Sequence, residues 1–367
     1  MRILLLINSL SLDGGGAERA TANLANHFAG LGHHVTVVTL SSPTRDIYPL
    51  ASAVEVIGLG VAVAARSPLQ SLLTLVRSAL AVRRVLAAVR PDAAIGMMSN
   101  AAILLALAGR PLPVKLLGSE RTYPPAAQLP RAWRMLRKLC YRRLDRMVAQ
   151  TGRVAEWLRE HTGVETTVIP NPWLAPANAG VPVLPNDLLP PEGKVILGAG
   201  RLAREKRFDL LIRAFAGCAG NRPDWRLVIV GSGPLHGDLR ALADRLGLAD
   251  RVLLPGRAGN LAEWYSRSDI FALSSEFEGF PNVLLEAMGC GLATLAYDCP
   301  AGPGELIQTE RNGILIEPLS LDGLTEGLCR LMDSPDLRAR LGAAATEVRS
   351  RYAFDRIGGQ WLAAMSA

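Results

Sequence analysis

Aromatic residues make up only 5% of the 367 residues, although 49% of the chain is apolar. A hydrophobic fraction built from Ala, Leu, Val and Gly with few rings suits an α/β protein. Cysteine is sparse too. The five (Cys140, Cys218, Cys290, Cys299, Cys329) are scattered, without a C-x-x-C pair or a histidine nearby. That argues against structural zinc and for a reducing compartment. No window reaches the ~18 uncharged apolar residues that span a bilayer, and Met1–Leu6 is too short an apolar run for a signal peptide. Acidic residues are short in one half: residues 1–172 hold 20 Lys+Arg against 10 Asp+Glu, and the remainder 20 against 23. Such asymmetry bears on partners rather than fold, and an anionic partner is expected for the first half.

At this length the chain should form two domains. Arg2–Ile7 reads as a strand that runs into a Gly-rich loop, with a helical pattern from Ala17. Further β-like runs at Val35–Leu40, Val54–Ile57, Ala93–Met98, Val114–Leu117, Met147–Ala149 and Thr166–Ile169 are mostly separated by helix-period segments such as Leu69–Val89. Residues 170–191 carry seven prolines and read as a linker. The pattern then repeats with strands at Lys194–Ala199, Leu227–Val230, Val252–Leu254, Ile270–Leu273, Leu292–Ala296 and Gly313–Ile316. Alternation of this kind implies parallel sheets with right-handed crossovers, hence two Rossmann-like domains with ligands at the carboxyl ends of the strands.

The stretch Ser274–Gly291 (SSEFEGFPNVLLEAMGCG) carries the most chemistry. Glu278 and Glu286 have seven residues between them, among them Gly279, Phe280, Pro281 and Asn282 as a turn into a helix that stops at Gly289 or Gly291. Free N–H groups at Asn282, Val283 and Leu284 would form an anion site. An anion cradle flanked by two hydroxyl-binding carboxylates suits a diphosphate with a sugar at each end, which describes a nucleotide sugar.

This stretch resembles the signature of retaining glycosyltransferases of family 4, two glutamates separated by seven residues on a GT-B fold, in which two Rossmann-like domains face each other across a cleft. Other motifs follow in order. Gly198–Lys206 (GAGRLAREK) is similar to the family's G-R-x-x-x-x-K segment, which implies that Arg201 and Lys206 neutralise the donor diphosphate; fixed cations there would stabilise a departing nucleoside diphosphate. Gly231 and Gly233 suit a tight turn beneath a nucleotide, and Leu254–Arg257 resembles the family's base-binding segment. In the first half, Gly14, Gly15, Gly16, Ala17, Glu18 and Arg19 resemble the family's G-G-A-E-R loop, where glycines let the backbone approach a phosphate or sugar. Many members carry a His near the position where Ser119 and Glu120 stand here. The five histidines lie elsewhere, so the resemblance brings no His-assisted step. Glu120 and Arg121, like Glu18 and Arg19, fit an acceptor site; the first pair fits a structural ion pair equally well. Asp298–Glu305 (DCPAGPGE) is similar to a stretch in a subgroup that builds bacterial exopolysaccharides and lipid-linked oligosaccharides.

Arg131–Val148 has Trp133, Leu136, Cys140, Leu144 and Met147 on one helical face and Arg131, Arg134, Lys138, Arg142 and Arg146 on the other. A basic amphipathic helix with Trp fits an anionic lipid surface; a helix with its apolar face on the core and a solvated basic back fits as well.

The resemblance implies domains at 1–172 (acceptor) and 194–350 (donor), a linker at 173–193, and a terminal helix within 351–367 that crosses back to the first domain. It further implies sugar transfer with retention from a UDP-hexose or UDP-N-acetylhexosamine to a polyprenyl-diphosphate-linked saccharide, at the inner face of the cell membrane in the cytoplasm. Glu278 would grip sugar hydroxyls and Glu286 the ribose. No D-x-D occurs, and no metal, cofactor or nucleic acid is expected. A nucleotide-sugar epimerase would use the same donor cleft but need no basic membrane face, and a non-catalytic scaffold would be expected to lose some of the diphosphate-binding and glutamate residues, none of which is missing here.

Overall fold

The computed structural model describes residues 1–11, 15–42, 48–61, 68–126, 131–176, 181–317 and 319–366; Gly14 falls outside them. The chain divides into two compact units, Met1–Asn171 with Asp355–Ala367, and Pro172–Phe354.

The first unit comprises β1 (Arg2–Ile7), α1 (Gly16–Gly30), β2 (His34–Thr39), β3 (Val54–Gly58), α2 (Pro68–Val89), β4 (Ala93–Met97), α3 (Ser99–Gly109), β5 (Lys115–Glu120), α4 (Arg131–Tyr141), β6 (Arg146–Ala149), α5 (Gly152–Thr162) and β7 (Thr166–Val168). Its seven strands are parallel in the order β3-β2-β1-β4-β5-β6-β7. The second unit runs β8 (Lys194–Ala199), α6 (Phe208–Ala219), β9 (Trp225–Val230), α7 (His236–Arg245), β10 (Val252–Gly256), α8 (Leu261–Arg267), β11 (Ile270–Leu273), α9 (Asn282–Gly289), β12 (Ala293–Tyr297), α10 (Pro303–Leu306), β13 (Ile314–Ile316), α11 (Leu321–Asp333), α12 (Pro335–Ala345) and α13 (Val348–Arg351). These six strands are parallel in the order β10-β9-β8-β11-β12-β13. The final helix, α14 (Phe354–Ser366), belongs almost wholly to the first unit.

Both orders reverse direction once, between β1 and β4 and between β8 and β11. At such a point two adjacent loops leave in opposite directions and open a crevice at the carboxyl ends. The strands read as continuous apolar runs because helices cover both faces of the sheet. In the second unit Ile196, Leu227 and Ile229 pack into one core layer while Val195, Leu197, Val228 and Val230 pack into the other, the period-two alternation of a pleated strand.

The described part of residues 181–193 lies against the second unit: Val183 N–H donates to Asn260 Oδ1 at 2.8 Å, Trp264 Nε1 donates to Val183 O at 2.9 Å, and Leu189 is buried in its core. Cys218 of α6 and Cys329 of α11 form a disulfide with Cα atoms 5.5 Å apart. The reading of all five cysteines as a reduced, scattered set is corrected at this pair, which a sequence separation of 111 concealed. Cys140, Cys290 and Cys299 are free thiols.

The helix expected over Arg131–Val148 is also corrected. It ends at Tyr141, Leu144 sits in the following turn, and Met147 belongs to β6, paired with Gly118. The remaining helix keeps its expected polarity. Cys140 and Tyr141 are buried, and Arg131, Arg134, Lys138 and Arg142 are exposed. Arg137 is buried and lies 4.7 Å over the Trp157 ring, a cation–π contact.

Candidate active site

In the second unit the loop after β8 is stitched to the loop after β11. Ser274 Oγ donates to Lys206 O at 2.8 Å, and Glu276 N–H donates to Glu205 O at 2.8 Å. This brings Lys206 Nζ to 2.6 Å from Glu278 Oε1, an ion pair with side chains only 17% and 10% exposed. Ser275 Oγ donates to the same oxygen at 2.7 Å. Both bonds thus converge on Oε1, and Oε2 makes none among the described residues. The buried Cys299 adjoins this pair; burial, then the field of Glu278, pushes its thiol up to about 12, so no thiolate forms there near neutrality. Arg201, also on the β8 loop, is exposed.

Glu278 precedes α9 as expected, and Glu286 lies in it, buried, with Tyr265 OH donating to Oε2 at 3.0 Å. The expected free N–H groups at the start of α9 are corrected. Asn282 N–H donates to Phe280 O at 2.9 Å and Leu284 N–H to Pro281 O at 3.0 Å, so tight local turns consume two of the three. The Val283 N–H makes no such backbone bond. Phe280 and Leu284 are core side chains and Pro281 is buried, while Gly279, Asn282 and Val283 are half-buried.

Gly231 and Gly233 serve the packing of loops. A Cβ on Gly231 would lie 1.8 Å from Gly200 O, and one on Gly233 2.4 Å from Leu202 O. The two loops are further joined by Leu202 N–H to Ser232 O at 3.0 Å and Leu235 N–H to Leu202 O at 3.1 Å. Arg257 is exposed after β10, two strands from the reversal point.

In the first unit Gly16 opens α1, and Glu18 reaches back to accept from Gly15 N–H at 2.8 Å, half of a capping box. Arg19 follows in the same turn. Glu120 and Arg121 do not pair. Ser99 Oγ donates to both Glu120 oxygens (3.0 and 2.9 Å), Thr122 Oγ1 to Oε1 at 2.9 Å, and Tyr141 OH to Oε2 at 2.8 Å. Glu120 is 1% exposed. Burial, then the adjacent Glu120 charge, pushes the Tyr141 phenol up, keeping it a donor. Arg121 turns instead to Ser119 Oγ at 3.3 Å and to Asn171 Oδ1. The ion-pair alternative therefore falls. Sequence reasoning missed Ser275, Ser99, Tyr141 and Thr122; only the neighbourhood of Ser275 and Thr122 to flagged glutamates hinted at them.

The sequence profile of family 4 glycosyltransferases matches residues 14–172, and that of "Glycosyl transferases group 1" matches residues 185–348. The chain belongs to the family 4, group 1 glycosyltransferases. It is 24% identical over 366 residues, 98% of each chain, to the amylovoran biosynthesis glycosyltransferase AmsD of Erwinia amylovora. Over 165 residues it is 36% identical to an N-acetylgalactosaminyltransferase of Campylobacter jejuni acting on N-acetylgalactosamine-N,N'-diacetylbacillosaminyl-diphospho-undecaprenol, covering 45% of this chain and 44% of that one. Its fold superposes on Anabaena HepE in complex with UDP-glucose with a TM-score of 0.78 at 18% identity, covering the whole of both chains, which establishes the GT-B fold. The matched segment spans 23–52% of the length of the first three curated relatives.

Proposed function

We propose that this glycosyltransferase moves a sugar, with retention, from a nucleoside-diphosphate sugar to a lipid-linked saccharide during bacterial polysaccharide or glycan assembly. One observation carries the reading: Lys206 and Glu278, 72 residues apart, meet at 2.6 Å at the reversal point of a parallel sheet, where such folds bind ligands. In this reading Lys206 and Arg201 meet the charge of the leaving diphosphate, a role that needs no metal ion, with the Val283 N–H beside them. Glu278 holds sugar hydroxyls through its open Oε2, and Glu286 the ribose. The departing phosphate itself takes the acceptor's proton as the new bond forms on the same face. Glu120, with both oxygens occupied by hydroxyl donors, is unsuited to act as base. The UDP-glucose bound by HepE and the diphospho-undecaprenol acceptor named for the Campylobacter relative support a UDP-sugar donor and a lipid-linked acceptor.

A panel of nucleotide sugars tests the donor. The true donor stabilises the fold by RT ln(1 + [L]/Kd), about 2.7 kcal/mol at a hundredfold excess over Kd, and so raises the melting temperature; UDP-hexoses or UDP-N-acetylhexosamines should lead. A panel in which no nucleotide sugar shifts the transition rejects the donor assignment.

An anionic membrane at the cytoplasmic face is the proposed partner of the first unit. Among the described residues no helix is long and apolar enough to cross a membrane. However, α2 exposes Leu72, Leu73, Val76 and Leu80, and α4 exposes Met135 (67%) and Leu139 (53%) beside its basic residues; α3 lies between these two helices. Apolar stripes flanked by cations suit the headgroup boundary. The protein should co-sediment with anionic but not zwitterionic vesicles, and less so at high salt, which screens exposed charges beyond a Debye length. Equal recovery with both vesicle types counts against the proposal.

A further inference from the structure

Three successive neighbours of the first sheet, β5 (ending at Glu120), β6 (ending at Ala149) and β7 (ending at Val168), are each followed within three residues by a polar side chain. Glu120 pairs in register with Ala149, and Ala149 with Val168, so Arg121 and Gln150 follow adjacent strand ends, with Asn171 just beyond the third. Gln150 is 4% exposed and its Nε2 has no hydrogen-bond partner among the described residues. Leaving a buried amide donor unmade costs about 1–3 kcal/mol, and native folds seldom tolerate it without a reason.

Arg121 has unspent donors as well. A guanidinium carries five N–H groups, and among the described residues they meet only Ser119 Oγ and Asn171 Oδ1, both neutral oxygens. No carboxylate lies within ion-pair distance of it among the described residues, because Glu120 next door is closed by Ser99, Thr122 and Tyr141. Burial accordingly pulls Arg121 down to about 10, with the more distant Glu18 partly opposing. A half-buried cation without a counter-charge, beside an orphaned amide donor, presents only donors. What satisfies both is an oxygen-rich anion, and the planar fork of arginine fits phosphate or carboxylate.

We infer that Arg121 and Gln150 form an oxyanion-binding corner at the carboxyl edge of the first sheet, which receives a phosphate or carboxylate group of the acceptor. Naming the ligand as acceptor rests on the transferase reading above; binding of an oxyanion at this corner does not.

The test uses the full chain carrying Arg201→Ala and Lys206→Ala, which removes the proposed donor cations. Calorimetric titration of this background with inorganic pyrophosphate should still show a site. Adding Arg121→Gln should weaken it at least ~10-fold and Gln150→Leu by roughly 3–10-fold, with Arg121→Lys in between, since charge survives and the fork does not. A parallel titration with glucuronate separates the sources: tighter pyrophosphate binding assigns a phosphate of the acceptor, tighter glucuronate binding a sugar carboxylate. Arg121→Lys and Gln150→Leu keep the test open should Arg121→Gln misfold. Absence of any pyrophosphate or glucuronate site in the background, or an affinity unmoved by all three changes, overturns the inference. The donor reading is judged separately by UDP: affinity unchanged between wild type and the Arg201→Ala, Lys206→Ala background would remove that reading and leave the corner intact.

Discussion

Glu278→Ala and Lys206→Ala should each lower kcat at least ~100-fold, the range seen when one fixed group facing transition-state charge is removed. A hundredfold loss is about 2.7 kcal/mol at 1.36 kcal/mol per decade. Charge accumulates on the diphosphate only as the glycosidic bond breaks, so Lys206 contributes more to the transition state than to donor binding; kcat should fall further than donor KM rises. The two residues are tied to each other in the resting enzyme at 2.6 Å, and each substitution strips its partner of a mostly buried counter-charge. Some stability will be lost, so melting curves must accompany the kinetics. A variant that is folded and turns over at near wild-type rate removes that residue from the site.

The second large effect concerns stability. Glu120→Ala should destabilise the first unit by about 3 kcal/mol, because three hydroxyls, those of Ser99, Thr122 and Tyr141, lose their acceptor at roughly 1 kcal/mol or more apiece. For a unit of this size that corresponds to a fall of roughly 6–12 °C in melting temperature. Glu120→Gln should cost far less, since the amide keeps the shape and one acceptor oxygen, and hydroxyls can rotate to accept from its NH₂. The same variant should retain kcat within a few-fold, as expected of a carboxylate whose valences are filled by structure. Equal stability of Glu120→Ala and wild type would show that the hydroxyl collar contributes nothing; a collapse of kcat in Glu120→Gln with unchanged stability would make Glu120 catalytic.

Much of the fold was legible because strands buried on both faces read as short apolar runs between helical periods. Among the described residues, all thirteen strands lie where those runs stand, with ends that differ by no more than three residues. Two kinds of information were hidden. Periodicity continued smoothly from Arg131 to Val148, yet pairing of Arg146–Ala149 with Lys115–Glu120 outweighed it, because register with a neighbouring strand is not written locally. Pairings across long stretches of chain were equally silent: Cys218 with Cys329, Tyr141 with Glu120, Tyr265 with Glu286. Glu278, Glu286, Arg201 and Lys206, the proposed donor residues, stood out in the sequence because their spacing is local. The free N–H groups expected ahead of α9 were not, since Pro281 and Phe280 carbonyls capture two of them in a turn whose exact geometry the residue types leave open.

On the proposed function, the carboxyl edge of β8 and β11 binds a sugar diphosphate. A crystal structure of the protein with UDP-glucose or UDP-N-acetylglucosamine tests it most directly. Diphosphate oxygens are expected within hydrogen-bond distance of Lys206 and Arg201, sugar hydroxyls on Glu278, and ribose on Glu286. A nucleotide seated elsewhere, with the Lys206–Glu278 pair untouched by ligand, would contradict it.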